Sequence, residues 1–467
     1  MPQEIVTINP SREEIIKEYQ TITLQEMKDK IKKSHDAFIE WKKNIDKRID
    51  YFHNFAQQLR KDEERLATIA TKEMGKVIKE SRSEVEKCAW AVEYFADNGS
   101  SFVEDEITNT DARKTNIRFE PLGVIASIMP WNFPYWQAIR FAAPSLIAGN
   151  TTVLKPASAT MQCGIEIENT AAKVGIPEGV FQTLVGNSSI VSNLINSEYV
   201  KAVTFTGSVS VGSKIASQAA TQVKKTVLEL GGSDPFIVCA DADIEKASTG
   251  AVKGRFINCG QSCIASKRFI VVKEVLNDFI EAFVEKTNKL KVGDPLSDDT
   301  DIGPLVNLEA LEKIELQIKN AIMEGAEILV GDGQRIEGKT GYFCKPTILS
   351  KVTPKMQITK EEVFGPVAPI IAAETDEDAV RIANDTEYGL GASIWTKNLD
   401  AAERLSKLVQ SGIVSVNNVV ASDPRIPFGG IKKSGYGREL SRYGMLEFVN
   451  IKSVRLYDDL YSLHHVE

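Results

Sequence analysis

Val200-Lys-Ala-Val-Thr-Phe-Thr-Gly-Ser-Val-Ser-Val-Gly-Ser-Lys-Ile-Ala-Ser-Gln-Ala-Ala-Thr-Gln-Val-Lys-Lys-Thr-Val-Leu-Glu-Leu230 carries the clearest fold signal in the chain. Its opening residues, Val200 to Phe205, form a short apolar, β-branched run that reads as a buried strand. Gly207-Ser208 then opens a helix over Val211 to Ala220, and Thr226 to Leu230 reads as a second strand. Strand, helix and strand in about thirty residues make a βαβ unit, in which the helix returns the chain so that the two strands lie parallel. The same alternation extends upstream through the strands Gly123-Val-Ile-Ala-Ser-Ile-Met129 and Thr151 to Leu154, the helix Cys163 to Val174 and the strand Phe181 to Val185. A parallel sheet covered by helices is the expected architecture.

A second alternation begins after Gly231-Gly232, with strands at Phe236 to Val238 and Arg268 to Val272 and helices at Ala247 to Phe256 and Val275 to Leu290. It predicts a second α/β domain. Further elements are expected at Ala326–Val330, Ala368–Ala372, Glu377–Ala383 and Ala392–Trp395, with Gly-rich turns at Gly429-Gly430 and Gly435-Tyr436-Gly437. Before the first sheet, Met27, Ile31, Ala37, Phe38, Trp41 and Ile45, then Phe52, Phe55, Ala56 and Leu59, recur at three- and four-residue steps. That period predicts amphipathic helices from Thr23 to Phe95, ending before Asn98-Gly99-Ser100, and Thr115 to Phe119 reads as a short strand.

The 467 residues, 43% hydrophobic and 26% charged, fit a globular chain of several domains and exclude a fibrous or disordered one. Lys+Arg 56 against Asp+Glu 64 leaves a net charge of −8, which disfavours nucleic acid as a partner. The cysteines at 88, 163, 239, 259, 263 and 344 form no C-x-x-C pair, and the start Met1-Pro2-Gln3-Glu4 is not the beginning of a secretory signal, so a cytoplasmic location is expected. With only His35, His53, His464 and His465 available, no metal site is expected.

Gly260-Gln261-Ser262-Cys263 lies between a helical run and a strand, on a turn where a thiol can be reached. A free cysteine is more often a small buried hydrophobe, so the turn alone leaves both readings open. Glu229-Leu230-Gly231-Gly232 sets a carboxylate at a strand end, the place where ligands of open α/β sheets collect, although a solvated acid is common there too. The two signals strengthen each other, because a thiolate that attacks a carbonyl needs a base for the later hydrolysis and histidines are scarce. Phe205-Thr-Gly207-Ser208-Val-Ser-Val-Gly212 offers a helix N-terminus to an anion such as a pyrophosphate, or is a plain helix cap. Asn132, in Pro130-Trp131-Asn132-Phe133-Pro134, can offer an amide donor to an oxyanion.

Pro130-Trp-Asn-Phe-Pro134, Leu154-Lys-Pro156, Phe205-Thr-Gly-Ser208, Leu228-Glu-Leu-Gly-Gly232, Gly260-Gln-Ser-Cys263, Glu362-Val-Phe-Gly-Pro366 and Pro427-Phe-Gly-Gly430 together, in this order, resemble the NAD(P)-dependent aldehyde dehydrogenase superfamily. The resemblance covers the chain from about Gly123 onward. It implies a Rossmann-type cofactor domain over 1–103 and 122–231, an α/β catalytic domain over 232–437, and a small β oligomerisation arm and tail over 104–121 and 438–467. Homodimers or homotetramers are implied, with the arm near Glu104 to Pro121 and the tail near Val449 to Tyr461 pairing between subunits. By the same resemblance Cys263 is the nucleophile, Glu229 activates the deacylating water, and Asn132 with the Cys263 backbone N–H forms the oxyanion hole. Trp131, Lys155, Gly207, Ser208, Leu230 and Glu362 are expected to line the cofactor, Lys155 and Glu362 at ribose hydroxyls and Ser208 at the pyrophosphate. Glu229 points to water rather than coenzyme A as the acyl acceptor.

NAD-preferring relatives commonly carry a glutamate three residues after the lysine, where this chain has the small, neutral Ser158. NADP is therefore the expected cofactor, with NAD also accepted if Ser158 only leaves room. Arg140 follows Asn132 by about two helical turns. With Ser422, it resembles the carboxylate-binding pair of succinate-semialdehyde dehydrogenases, and an arginine's fork suits a carboxylate. A surface arginine is the alternative, leaving lactaldehyde, glyceraldehyde or glyceraldehyde 3-phosphate as substrates, and a catalytically silent binding protein is the alternative of a different class. Cys259, four residues before Cys263, is either a disulfide partner for it or a small buried side chain.

Overall fold

The computed structural model describes residues 4–458. Helices Leu24–Trp41, Ile45–Lys61, Glu63–Met74 and Ile78–Phe102 fill the region where the apolar period predicts them. Thr23 starts the first through a capping box with Glu26, and Asn44 caps the second by accepting from the Lys47 N–H. The fourth helix runs straight through Asn98-Gly99-Ser100, where the sequence suggests a break. Gly99 is a contact rather than a stop: a Cβ there would stand 2.4 Å from the Ile147 side chain. The glycine therefore lets helix Ile78–Phe102 close on helix Pro134–Ala148.

The first sheet has six strands in the order Gly435–Tyr436, Lys225–Glu229, Val200–Thr206, Val124–Ile128, Thr151–Lys155 and Phe181–Thr183. All neighbours are parallel except the Gly435–Tyr436 edge. The sequence reads Gly435-Tyr436-Gly437 as a turn inside the second domain. Instead it closes the first sheet, with Gly435 opposite Glu229 and Tyr436 opposite Leu228. Only glycine fits at 435, where φ is +117° and a Cβ would meet the Leu228 carbonyl oxygen at 1.9 Å.

The second sheet is ordered Glu327–Val330, Thr347–Val352, Val367–Ala373, Ser266–Val272, Asp234–Val238, Gly391–Trp395 and Ile413–Val416, parallel apart from its first pair. Phe236, Phe269, Phe279 and Phe283 pack together in its core. Both sheets fit the predicted α/β class.

Two smaller pieces complete the chain. A hairpin, Glu4–Asn9 with Glu14–Gln20, precedes the helices and was not foreseen. Strand Val449–Leu456 pairs antiparallel with Lys114–Pro121 over eight residues, and Glu106–Ile107 lies on the other side of Lys114–Pro121. Arm and tail thus pair with each other within the chain, as one three-stranded sheet. The end of the tail, with Tyr461, His464 and His465, lies outside the described residues. Among the described residues no helix is long and apolar enough to cross a membrane.

Candidate active site

Strand register builds the site. Ile128 lies opposite Lys155 on one side and Phe205 on the other, and Thr206 lies opposite Glu229. The carboxyl ends of four neighbouring parallel strands therefore present Trp131 and Asn132, Lys155, Gly207 and Glu229 along one edge of the sheet. Strand Val124–Ile128 is also where the order reverses: the chain runs out through Thr151–Lys155 and Phe181–Thr183, then returns on the other side as Val200–Thr206. Ligands of open α/β sheets bind at such a switch point.

The residues expected to hold a dinucleotide suit one. Ser208 is the N-cap of helix Val209–Thr221 but makes no side-chain cap bond, which leaves first-turn N–H groups available to a pyrophosphate. Gly212 lets that helix press onto the sheet, since a Cβ there would be 2.5 Å from Leu230. Lys155 is buried in strand Thr151–Lys155, and among the described residues no carboxylate pairs with it; burial pushes its ammonium down to about 8. Ser158 opens the short helical turn Ser158–Thr160 just beyond. A buried cation beside a neutral hydroxyl fits a ribose or its phosphate. Glu362 accepts from the Gly232 N–H at 3.1 Å and lies 3.5 Å from Lys267 Nζ. Trp131 stands edge-on to Phe364.

Cys263 sits on a loop held under strain. After helix Ile244–Phe256, Asn258, Cys259 and Gly260 all have φ between +50° and +74°. The surroundings enforce this: Glu80 accepts from the Asn258 N–H, and Arg255 donates to the carbonyls of Gly260, Gly365 and Ser266. Lys267 Nζ donates to the Ser262 and Cys263 carbonyls at 2.9 and 2.6 Å. The Cys263 thiol is half-buried and faces a cleft shared with Lys87, Trp136, Arg140, Ser422 and Phe428. Burial raises it to about 11, against the opposing pull of Arg140 and Lys267. Asn132 Nδ2 donates to the Gln261 carbonyl at 3.0 Å, two residues before the thiol, and an amide nitrogen carries a second hydrogen for an oxyanion.

Cys259 is a free, buried thiol. Its left-handed backbone turns the side chain into the second sheet's core, where its thiol hydrogen-bonds that of Cys344, while Cys263 packs against the first domain's core. Cys259 is thus a small buried side chain whose thiol is engaged by Cys344.

Glu229 is buried, and among the described residues neither carboxyl oxygen has a hydrogen-bond partner. Gly429 leaves it room, since a Cβ there would lie 2.8 Å from Glu229 Oε1. Burial, and then the Glu439 carboxyl, lift Glu229 well above the usual carboxylate range, while Arg140 opposes the lift. Glu439 also forms an ion pair with Arg140, and both side chains are almost wholly buried. Arg140 is thus a cavity residue, not a surface one. The charge on its Nε side is met by Glu439, while its Nη2 is buried without a partner among the described residues. Helix Pro134–Ala148 holds Arg140 in place: Glu84 accepts from the N–H groups of Tyr135 and Trp136 at 2.9 and 2.8 Å, capping the helix dipole, and Glu84 pairs with Lys76.

Glu439, Lys267, Glu84 and Lys87 were not singled out from the sequence. Glu439 lies two residues beyond the Gly435-Tyr436-Gly437 stretch, and nothing in that part of the sequence pointed to its pairing with Arg140.

Residues 1–454 match the Aldehyde dehydrogenase family. A Synechocystis sp. protein named as a probable succinate-semialdehyde dehydrogenase [NADP(+)] is 43% identical over 451 residues, covering 96% of this chain and 99% of that one. The solved succinic semialdehyde dehydrogenase of Streptococcus pyogenes in complex with NADP+ is 36% identical with a TM-score of 0.94, covering 97% of this chain and all of that one. A solved lactaldehyde dehydrogenase gives 33% identity and a TM-score of 0.94, covering 97% of this chain and 96% of that one. With the Cys263 turn, Glu229 and the switch-point sheet in the places described, and the family match over residues 1–454, this chain belongs to the aldehyde dehydrogenase family.

Proposed function

We propose that the protein oxidises succinate semialdehyde to succinate with NADP+, water taking the acyl group. The observation that carries the choice of substrate is the shared cleft: Arg140, with an unpartnered Nη2, and Ser422 line it together with Cys263. The likeness to NADP-dependent succinate-semialdehyde dehydrogenases supports both substrate and cofactor. Lys155 and Ser158 would hold the adenine-side ribose and its phosphate, the start of helix Val209–Thr221 with Ser208 the pyrophosphate, and Glu362 the second ribose. When bound, the nicotinamide supplies a hydride acceptor.

The chain's own residues do the rest. The Cys263 thiol loses its proton to solvent water, and the thiolate adds to the aldehyde carbon. The second Asn132 N–H and the Cys263 backbone N–H stabilise the oxyanion, each donor contributing about 3–4 kcal/mol in a site of this kind. Loss of hydride from that carbon leaves a thioester on Cys263. Glu229, as carboxylate, takes a proton from water, the resulting hydroxide attacks the thioester, and the acid leaves as the thiol is restored.

The test measures reduced nicotinamide with succinate semialdehyde, butanal and lactaldehyde, each with NADP+ and NAD+. Higher kcat/KM for the charged aldehyde and for NADP+ is expected; equal rates for succinate semialdehyde and butanal, or a preference for lactaldehyde, overturn the substrate. In the same assay Arg140→Ala is expected to lower the ratio of kcat/KM for succinate semialdehyde over butanal by the equivalent of about 2–4 kcal/mol. An unchanged ratio removes Arg140 from substrate binding.

A further inference from the structure

We infer that Lys87 is a second cation for the distal carboxylate, and that it sets the enzyme's preference for anionic aldehydes. The inference rests on the substrate reading above and adds a residue to it. Lys87 projects from helix Ile78–Phe102 into the cleft that holds Cys263 and Arg140. Its Nζ donates to Ser422 Oγ at 2.7 Å and lies 4.5 Å from the centre of the Trp136 ring. A hydroxyl and an aromatic face position an ammonium without neutralising it. Among the described residues no carboxylate stands within ion-pairing distance of Lys87, although Lys76, on the same side of the molecule, pairs with Glu84 and Arg140 pairs with Glu439.

The cleft lining also holds Lys253 and Glu80, Lys79, which pairs with Asp301, and Glu84, which pairs with Lys76. Of Lys87 and Arg140, only Arg140 has a carboxylate within ion-pairing distance among the described residues, Glu439 on its Nε side. Burial and then the like charge of Arg140 work against the charged form of Lys87, pushing it down to about 8 despite the opposing pull of the more distant Asp423 and Glu84 carboxylates. A carboxylate seated between Lys87 Nζ, Ser422 Oγ and Arg140 Nη2 relieves both effects at once. An uncharged aldehyde relieves neither, so the cost of keeping this ammonium in the cleft is returned only by an anionic substrate. The competing reading is a strap that ties the helix to the loop bearing Ser422.

Lys87→Met and Lys87→Arg separate the two. For Lys87→Met the ratio of kcat/KM for succinate semialdehyde over butanal is expected to fall about 10- to 100-fold, most of it in the KM for the charged aldehyde. Lys87→Arg, which keeps the charge, is expected to recover most of the ratio. An unchanged ratio in Lys87→Met, or an equal loss for both aldehydes that Lys87→Arg fails to restore, overturns the proposal. If wild-type enzyme shows no preference for succinate semialdehyde, the substrate reading falls and Lys87's role with it. If the wild-type preference holds and Lys87→Met retains it, only Lys87 is removed.

Discussion

Cys263→Ala is expected to lower dehydrogenase turnover by about 10⁴-fold or more, because it removes the atom that carries the acyl group and among the described residues no other cysteine lines the cleft. Turnover within tenfold of wild type would rule Cys263 out as the nucleophile. The fold also makes a direct chemical check possible. Cys88, Cys163, Cys239, Cys259 and Cys344 are buried, and Cys263 alone is partly open. Iodoacetamide on the native protein is therefore expected to label one site, and that label to vanish in Cys263→Ala. The thiol's rise to about 11 adds a pH sign. The thiolate is the reactive form and its fraction grows as pH rises toward that value, so labelling is expected to accelerate from neutral to alkaline pH.

The second large effect is expected from Glu229→Gln. Glutamine keeps the size of the side chain but cannot take a proton from water, so thioester formation proceeds and its hydrolysis stalls. Rapid mixing is expected to show a burst of reduced nicotinamide close to one per active site, followed by a steady state slower by about 10²- to 10⁴-fold. An unaltered steady-state rate removes Glu229 from deacylation, and loss of the burst assigns it to activation of Cys263 as well. Glu229 is raised well above the usual carboxylate range, first by burial and then by Glu439. The carboxylate is the working form of a base, and here its fraction climbs only at higher pH. Wild-type deacylation is therefore expected to speed up as pH rises, and that dependence to flatten in Glu229→Gln.

The features legible in the sequence lie mostly close along the chain. The alternation from Gly123 to Leu230 places five parallel strands and the turn at Gly207-Ser208, and Gly260-Gln-Ser-Cys263 and Glu229-Leu-Gly-Gly232 mark the thiol and the carboxylate. These are local matters, because strand and helix periods and turn glycines record what a few consecutive backbone dihedrals allow. The tertiary structure alone decided which charges meet. Lys87 and Ser422 are 335 residues apart, and Arg140 finds Glu439 from the far end of the chain. Cys259 turns to Cys344 instead of its neighbour Cys263, and Gly435–Tyr436 crosses from one domain to edge the other's sheet. No period or spacing encodes such encounters. They follow from the packing of two sheets and a helical layer against one another, and the energy of a buried charge depends on every group that packing brings within a few ångströms of it.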